Sequence, residues 1–318
     1  MRPPRVPANF FGITFGLAGL GAVWHAAAKP LGVSPAVANV IFIVAAAVWA
    51  ILVAGYLAQG WRQVRADFGD PVLGPFLSLA VITPTLLAAA LAPSAHAAAR
   101  LLVIIFLALT IAFGGWITGQ WIVMKIDEDA NHPGYFLPTV AGPLVGSSAA
   151  SVVGLHQVAE GAFGAGVISW LVLGSILLRR LFFRPLLPVP LIPTMAIEVA
   201  PPVVAGIAYF ALDHGRLDFV ARALGCYAIL SVLVQLRLIP AYARLSFSPG
   251  FWAFTFSYAA VASDALLWLK SAKPPGATAY VIVVVTLITV LIVAIAVRSI
   301  VGLSRGQFFR ARRSAQSP

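Results

Sequence analysis

Charge is what this chain has least of. Only 10 % of its 318 residues are Asp, Glu, Lys or Arg, where a soluble domain carries about 25 %. That shortfall excludes an ordinary water-facing fold. Cysteine is almost missing as well. Cys226 stands alone, which excludes a disulfide framework and any multi-thiolate metal site. The histidines, His25, His96, His132, His156 and His214, fall at separate span ends with no i, i+3 or i, i+4 pair, so they are expected to be solvated at the interface rather than to bind metal. No Ser/His/Asp set converges and no nucleophile elbow is present. Gly164-Ala165-Gly166 has no following Lys-Ser/Thr to make a phosphate cradle. The expectation is a protein that is not an enzyme and carries no metal or cofactor.

What the chain has is hydrocarbon. Hydrophobic residues make up 61 % of it, with a mean hydropathy of +0.96. A spanning helix needs roughly 20 mostly apolar residues, and about ten such stretches fit, near 9–28, 36–58, 71–92, 100–124, 134–155, 158–181, 190–212, 218–243, 249–270 and 276–303. The first runs too long for a signal peptide and has no small-residue cleavage site behind it. Loops are short, so residues 1–318 are expected to form a single all-α transmembrane domain with a basic tail at about 304–318.

The net charge of +11 is distributed by side. Arg2, Arg5, Arg62, Arg65, Lys125, Arg179, Arg180, Arg184, Arg237, Arg244, Arg298, Arg305, Arg310, Arg312 and Arg313 fall on one side of the spans. Lys29, Arg100, Arg216, Arg222, Lys270 and Lys273 fall on the other. This asymmetry predicts that both termini are cytoplasmic. It argues for a lipid partner at the basic tail and against nucleic acid.

The spans alternate in kind. Even ones, such as Val40 to Tyr56 and Tyr280 to Val297, are nearly unbroken hydrocarbon. Odd ones break helix rules. The first carries Gly12, Gly16 and Gly19; Pro84 interrupts the third; Pro138, Pro143 and Ser147 stand in the fifth; and Pro201-Pro202 follow Glu198 in the seventh. Proline frees the carbonyl one turn earlier, and in lipid a freed group must find a partner in protein or line a wet cavity. The odd spans recur about every 60 residues, which predicts five helical hairpins whose irregular members surround a central pore. Gly12 and Gly16 also fit a simple helix-packing contact.

Two acids lie within spans. Glu198 titrates with substrate, discriminates among anions, or snorkels toward Arg179, Arg180 or Arg184; Asp264, late in the ninth span, is expected to be interfacial. Phe256 sits in Phe251-Trp252-Ala253-Phe254-Thr255-Phe256-Ser257-Tyr258. It is either filler or, if turned inward, a hydrophobic plug.

Several segments together resemble the tellurite-resistance/dicarboxylate transporter family, which takes in bacterial TehA, fungal malate permeases and plant guard-cell slow anion channels. They are Phe10-Phe11-Gly12-Ile13, His132-Pro133-Gly134-Tyr135-Phe136-Leu137-Pro138, Phe163-Gly164-Ala165-Gly166, Ala200-Pro201-Pro202, Leu236-Arg237-Leu238-Ile239-Pro240 and Trp252-Ala253-Phe254-Thr255-Phe256. They run in family order over nearly the whole chain. The resemblance implies ten helices as five hairpins around a pore, a homotrimer with one pore per subunit, and a phenylalanine gate on the ninth helix. That gate corresponds to Phe256, with Phe254 as the alternative if the register differs by two. Thr14 stands where family members often have proline, and Glu198 where bacterial relatives have an uncharged residue. The function expected is passage of small anions (chloride, nitrate or the tellurite oxyanion), with a proton-coupled dicarboxylate carrier using Glu198 as the other reading.

Overall fold

A computed structural model of the protein describes residues 6–124, 126–306 and 308. Arg2, Arg5, Lys125, Arg310, Arg312, Arg313 and most of the basic tail lie outside the described residues. Among those described there is no strand. Seven helices are long and apolar enough to cross a bilayer: Ala8–Leu31, Ala36–Leu57, His96–Met124, His156–Phe183, Val189–Leu212, Phe219–Tyr242 and Ala277–Ser304.

The other three expected spans are helical but depart from that standard. The third is the shorter stretch Gly74–Ala90, broken at Ser78 into α4 (Gly74–Leu77) and α5 (Leu79–Ala90). The fifth is a π-helical turn at Leu137–Ala141 continued by α7 (Gly142–Val152). The ninth, α11 (Trp252–Ala272), is one continuous helix that carries Asp264 and Lys270. A short helix at Trp61–Phe68, α3, fills a loop where none is expected. The remaining helices are α1 (Phe11–Leu31), α2 (Ala36–Leu57), α6 (His96–Met124), α8 (His156–Phe183), α9 (Ala200–Leu212), α10 (Phe219–Tyr242) and α12 (Ala277–Ser304).

The irregular elements pack on one another. α1 touches α5 and α11, α5 touches α7, α7 touches α9, and α9 touches α11, so the five close a ring. Each of α2, α6, α8, α10 and α12 lies against the ring element just before it in sequence. Burial follows the same division: 67 % of the Ala8–Leu31 core stretch and 72 % of Val189–Leu212 are buried, against 11 to 28 % for the five backing helices. Ile43, Ile51, Leu230 and Leu287 face outward on those helices, as a lipid-facing surface requires.

The sequence irregularities find partners inside the protein. Pro84 cannot bond the Ala80 carbonyl one turn earlier, and the Trp49 indole N–H of α2 donates to that carbonyl instead, at 2.9 Å. Ahead of α9 the chain runs as a 3-10 helix, Val189–Val199. There the Met195 carbonyl accepts from Gln235 Nε2 of α10 at 3.0 Å, while Gln235 Oε1 accepts from Tyr242 and Tyr258. Gly16 is required by close approach: a Cβ there would collide with the Thr255 hydroxyl and sit 2.7 Å from Thr255 Cβ. The glycine face of α1 is therefore the α1–α11 packing surface.

Candidate functional site

Phe256 occupies the middle of the ring. Its ring stacks on Phe15 of α1, with centroids 3.5 Å apart and planes 15° from parallel. That separation is van der Waals contact and leaves no gap for water. Phe256 also lines two sizeable cavities and a third, small hollow. One, about 510 Å³, runs toward the C-terminal ends of α1 and α11 and has His25, His96, Ser148 and Ser263 among its walls. The other, about 160 Å³, lies toward the beginnings of those helices, with Asn9, Gly12, Thr194 and Ser257 in its walls. Phe15 and Phe256 thus stand where the two hollows approach one another. Phe254, the alternative from sequence, is turned the other way and packs against Tyr242, Phe251 and Tyr258. Residues two apart lie on different faces of a helix, and of the two it is Phe256 that lines these hollows.

The smaller cavity has a consistent polarity. Asn9 from the start of the first element, Val72 from just ahead of α4, Pro190 from the start of the 3-10 helix and Gly250 from just ahead of α11 all line it. The first element, the 3-10 helix and the segment leading into α11 thus turn their beginnings toward it, where backbone N–H groups and the positive pole of the helix dipole lie, while the N–H groups of Val72 and Leu73 are taken by the Asp70 carboxylate at 2.8 and 2.9 Å. Among the described residues no Lys, Arg, Asp or Glu lines this cavity, and His25 and His96 are the only ionisable ones lining the larger.

The other expected wall residues divide. Gly12 lines the smaller cavity, and Pro201 lines a further small hollow beside Phe256. Pro84, Pro138 and Pro143 shape their elements and line none of these hollows. Gly16 is taken up by Thr255. Three expectations need correction. Thr14 is fully buried, donates to the Phe11 carbonyl at 2.8 Å and lies 3.3 Å from the Thr83 hydroxyl. It joins α1 to α5 instead of facing the hollow. Ser147 donates to the Ala159 carbonyl of α8 at 2.8 Å, and its neighbour Ser148 faces the cavity. Glu198 lines a separate groove of about 400 Å³ with Trp170 and Tyr227 of α8 and α10. Nor does Glu198 reach the arginines, because Arg179 and Arg184 pair with Glu128 and Arg180 donates to the Pro185 and Asp129 carbonyls.

Asp264 and His132 also depart from expectation. Asp264 is buried against Gly206, and its Oδ1 has no hydrogen-bond partner. His132 is wholly buried rather than interfacial. It stacks on Phe76 and its Nδ1 accepts from the Gly134 N–H at 3.1 Å, and burial pushes its pKa down to about 4. Sequence does not single out Phe15 or Ser257, because each is an ordinary residue for a membrane helix. Only Phe15, four residues on from the first aromatic of its helix, had a periodicity that would have placed it on the inner face. Among the described residues no group of three or more His, Cys, Asp or Glu is placed to hold a metal ion.

Comparison with known proteins gives a consistent picture. A family profile described as SLAC1, voltage-dependent anion channel, matches residues 5–300. The tellurite resistance protein TehA homolog of Haemophilus influenzae is 30 % identical over 312 residues, covering 97 % of this chain and 94 % of that protein. The guard cell S-type anion channel SLAC1 of Arabidopsis thaliana is 26 % identical over 271 residues, or 79 % of this chain and 48 % of its own. The S-type anion channel SLAH3 of the same plant is 24 % identical over 317 residues, or 93 % of this chain and 48 % of its own. The chain thus spans about half the length of these two plant relatives. With the match covering nearly its whole length and a helical ring described above, the chain belongs to the SLAC1/TehA family, a family of membrane anion channels and transporters rather than enzymes.

Proposed function

We propose that this protein conducts small anions (chloride, nitrate and the tellurite oxyanion) across a plasma membrane, through a passage inside the ring of each subunit that Phe256 closes against Phe15. The observation that carries this reading is the stacked pair of rings standing where two cavities meet. A ring that must swing aside is a simple hydrophobic gate. The sign of the permeant ion follows from the backbone. With N-terminal ends aimed at one cavity and no fixed charge among the described residues of its wall, the passage attracts anions through dipoles and holds none of them strongly. In this reading the ten helical segments act as five hairpins, the chain assembles as a homotrimer in the bilayer, and both termini lie in the cytoplasm, so the 160 Å³ cavity is the cytoplasmic one.

The dicarboxylate-carrier reading needs Glu198 beside the substrate, and Glu198 lines a groove between α8 and α10 instead. The test is electrical. Purified protein in a planar bilayer under a chloride gradient is expected to give currents that reverse at the chloride equilibrium potential. Saturable uptake that disappears with the proton gradient would replace the channel by the carrier.

A further inference from the structure

We propose that Ser257, together with Asn9, forms a resting site for a small anion on the cytoplasmic side of Phe256. The proposal deepens the anion-passage reading and rests on it. Serine and threonine in these helices ordinarily spend their hydroxyl on a carbonyl one turn back. Ser175, Ser231 and Ser299 each donate to the residue four earlier, at 2.8 to 2.9 Å, and Thr255, two residues before Ser257, donates to Trp252. Ser257 does not. It is 1 % exposed, its Oγ has no hydrogen-bond partner, and it lines the 160 Å³ cavity. A hydroxyl held away from its own backbone and enclosed in apolar walls is an unmet donor, a costly arrangement unless something in the cavity accepts from it.

Asn9 lines the same cavity, and its Oδ1 is likewise enclosed without a partner. Its carboxamide supplies two N–H donors, and a half-turn exchanges oxygen and nitrogen. The other polar groups in the wall are already committed: Thr194 donates to the Leu191 carbonyl at 2.6 Å, and the Trp252 indole to Ser299 at 2.9 Å. The chemistry selects an anion over a cation. A hard cation asks for six to eight oxygens, carboxylates among them, and no carboxylate among the described residues lines this wall. A halide or a small planar oxyanion asks for O–H and N–H donors under a positive potential, and the beginnings of the first helix, the 3-10 helix and α11 provide that potential. The cavity of 160 Å³ has the volume of about five waters, enough for a nitrate or chloride with part of its hydration.

The experiment uses the full-length protein with the gate removed, Phe256→Ala, in planar bilayers. Conductance is followed against chloride concentration, and the reversal potential is read with nitrate opposing chloride. Adding Ser257→Ala is expected to raise the half-saturating chloride concentration about 3- to 10-fold, the weight of one hydrogen bond, and to shift the nitrate/chloride reversal potential. Ser257→Thr, which keeps the hydroxyl, is expected to restore both, and Asn9→Ala to act in the same direction as Ser257→Ala. A second readout needs no current. The melting temperature of the otherwise wild-type protein in detergent is expected to rise when nitrate replaces gluconate at constant ionic strength, and Ser257→Ala to abolish the rise. If the gate-less protein passes no anion current, the passage reading itself falls. If it conducts but Ser257→Ala and Asn9→Ala leave saturation, reversal and the nitrate-dependent melt unchanged, the passage stands and the resting site is overturned.

Discussion

Replacing Phe256 by alanine removes the ring that stacks on Phe15 and is expected to join the cavities of about 510 and 160 Å³ into one path. The size of the effect follows from what opening must break in the wild type. Unstacking an aromatic pair costs about 0.5–1.5 kcal/mol beyond burial, and turning a buried ring off its preferred rotamer costs about as much again. A closed-state barrier of about 1–3 kcal/mol corresponds to roughly a ten- to hundredfold gain in conductance when the ring is gone. Phe15→Ala removes only the stacking partner, so its gain is expected to be several-fold and smaller. The fold should tolerate the change, because Phe256 borders empty space on two sides. Its loss should therefore cost less than the roughly 3–5 kcal/mol of a fully enclosed Phe→Ala truncation. The assay is chloride current per purified protein in planar bilayers, with size-exclusion elution as the check on assembly. A Phe256→Ala protein that elutes normally and conducts no better than wild type would refute the gate.

Three other perturbations probe the supports of the site. Gly16→Ala places a methyl against Thr255 and is expected to lower stability by about 1–3 kcal/mol in detergent melts, with Thr255→Ala recovering part of it; an unchanged melt would mean that α1 and α11 have slack between them. Glu198→Gln is expected to leave chloride currents intact, since Glu198 lies in the outer groove, and loss of proton-driven dicarboxylate uptake in that variant would reinstate the carrier. His132 has a folded pKa of about 4 against an ordinary 6.5, so the unfolded chain binds the extra proton between those values. Its contribution is complete above about pH 6.5 and is lost as pH falls toward 4, by about 3 kcal/mol in all. Melts from pH 7 to 4 should show that slope, and His132→Asn, which keeps an acceptor for Gly134, should flatten it; an equal slope in both proteins would place the acid sensitivity elsewhere.

The sequence by itself settled the class of protein. A chain this poor in charge and this rich in apolar runs has only the bilayer as a solvent, and prolines near the middles of the third, fifth and seventh runs marked runs that have protein neighbours. Pro84 illustrates the limit. Its freed carbonyl demands a donor by the chemistry of the peptide bond, but that the donor is Trp49, 31 residues away along the chain, is a fact of packing. The same holds at the site. Composition can list Phe254, Phe256 and Ser257 as neighbours, yet helix rotation alone turned one ring into the wall and the other onto Phe15. It also left Ser257 without the carbonyl partner that similar residues take. Glu198 and Ser147 went astray for the same cause: a side chain's depth follows from its place in the sequence, whereas its facing follows from which helices press on it. Which apolar segments cross the membrane is written in local hydrophobicity. Which face of each looks inward is fixed only when long-range packing closes the ring.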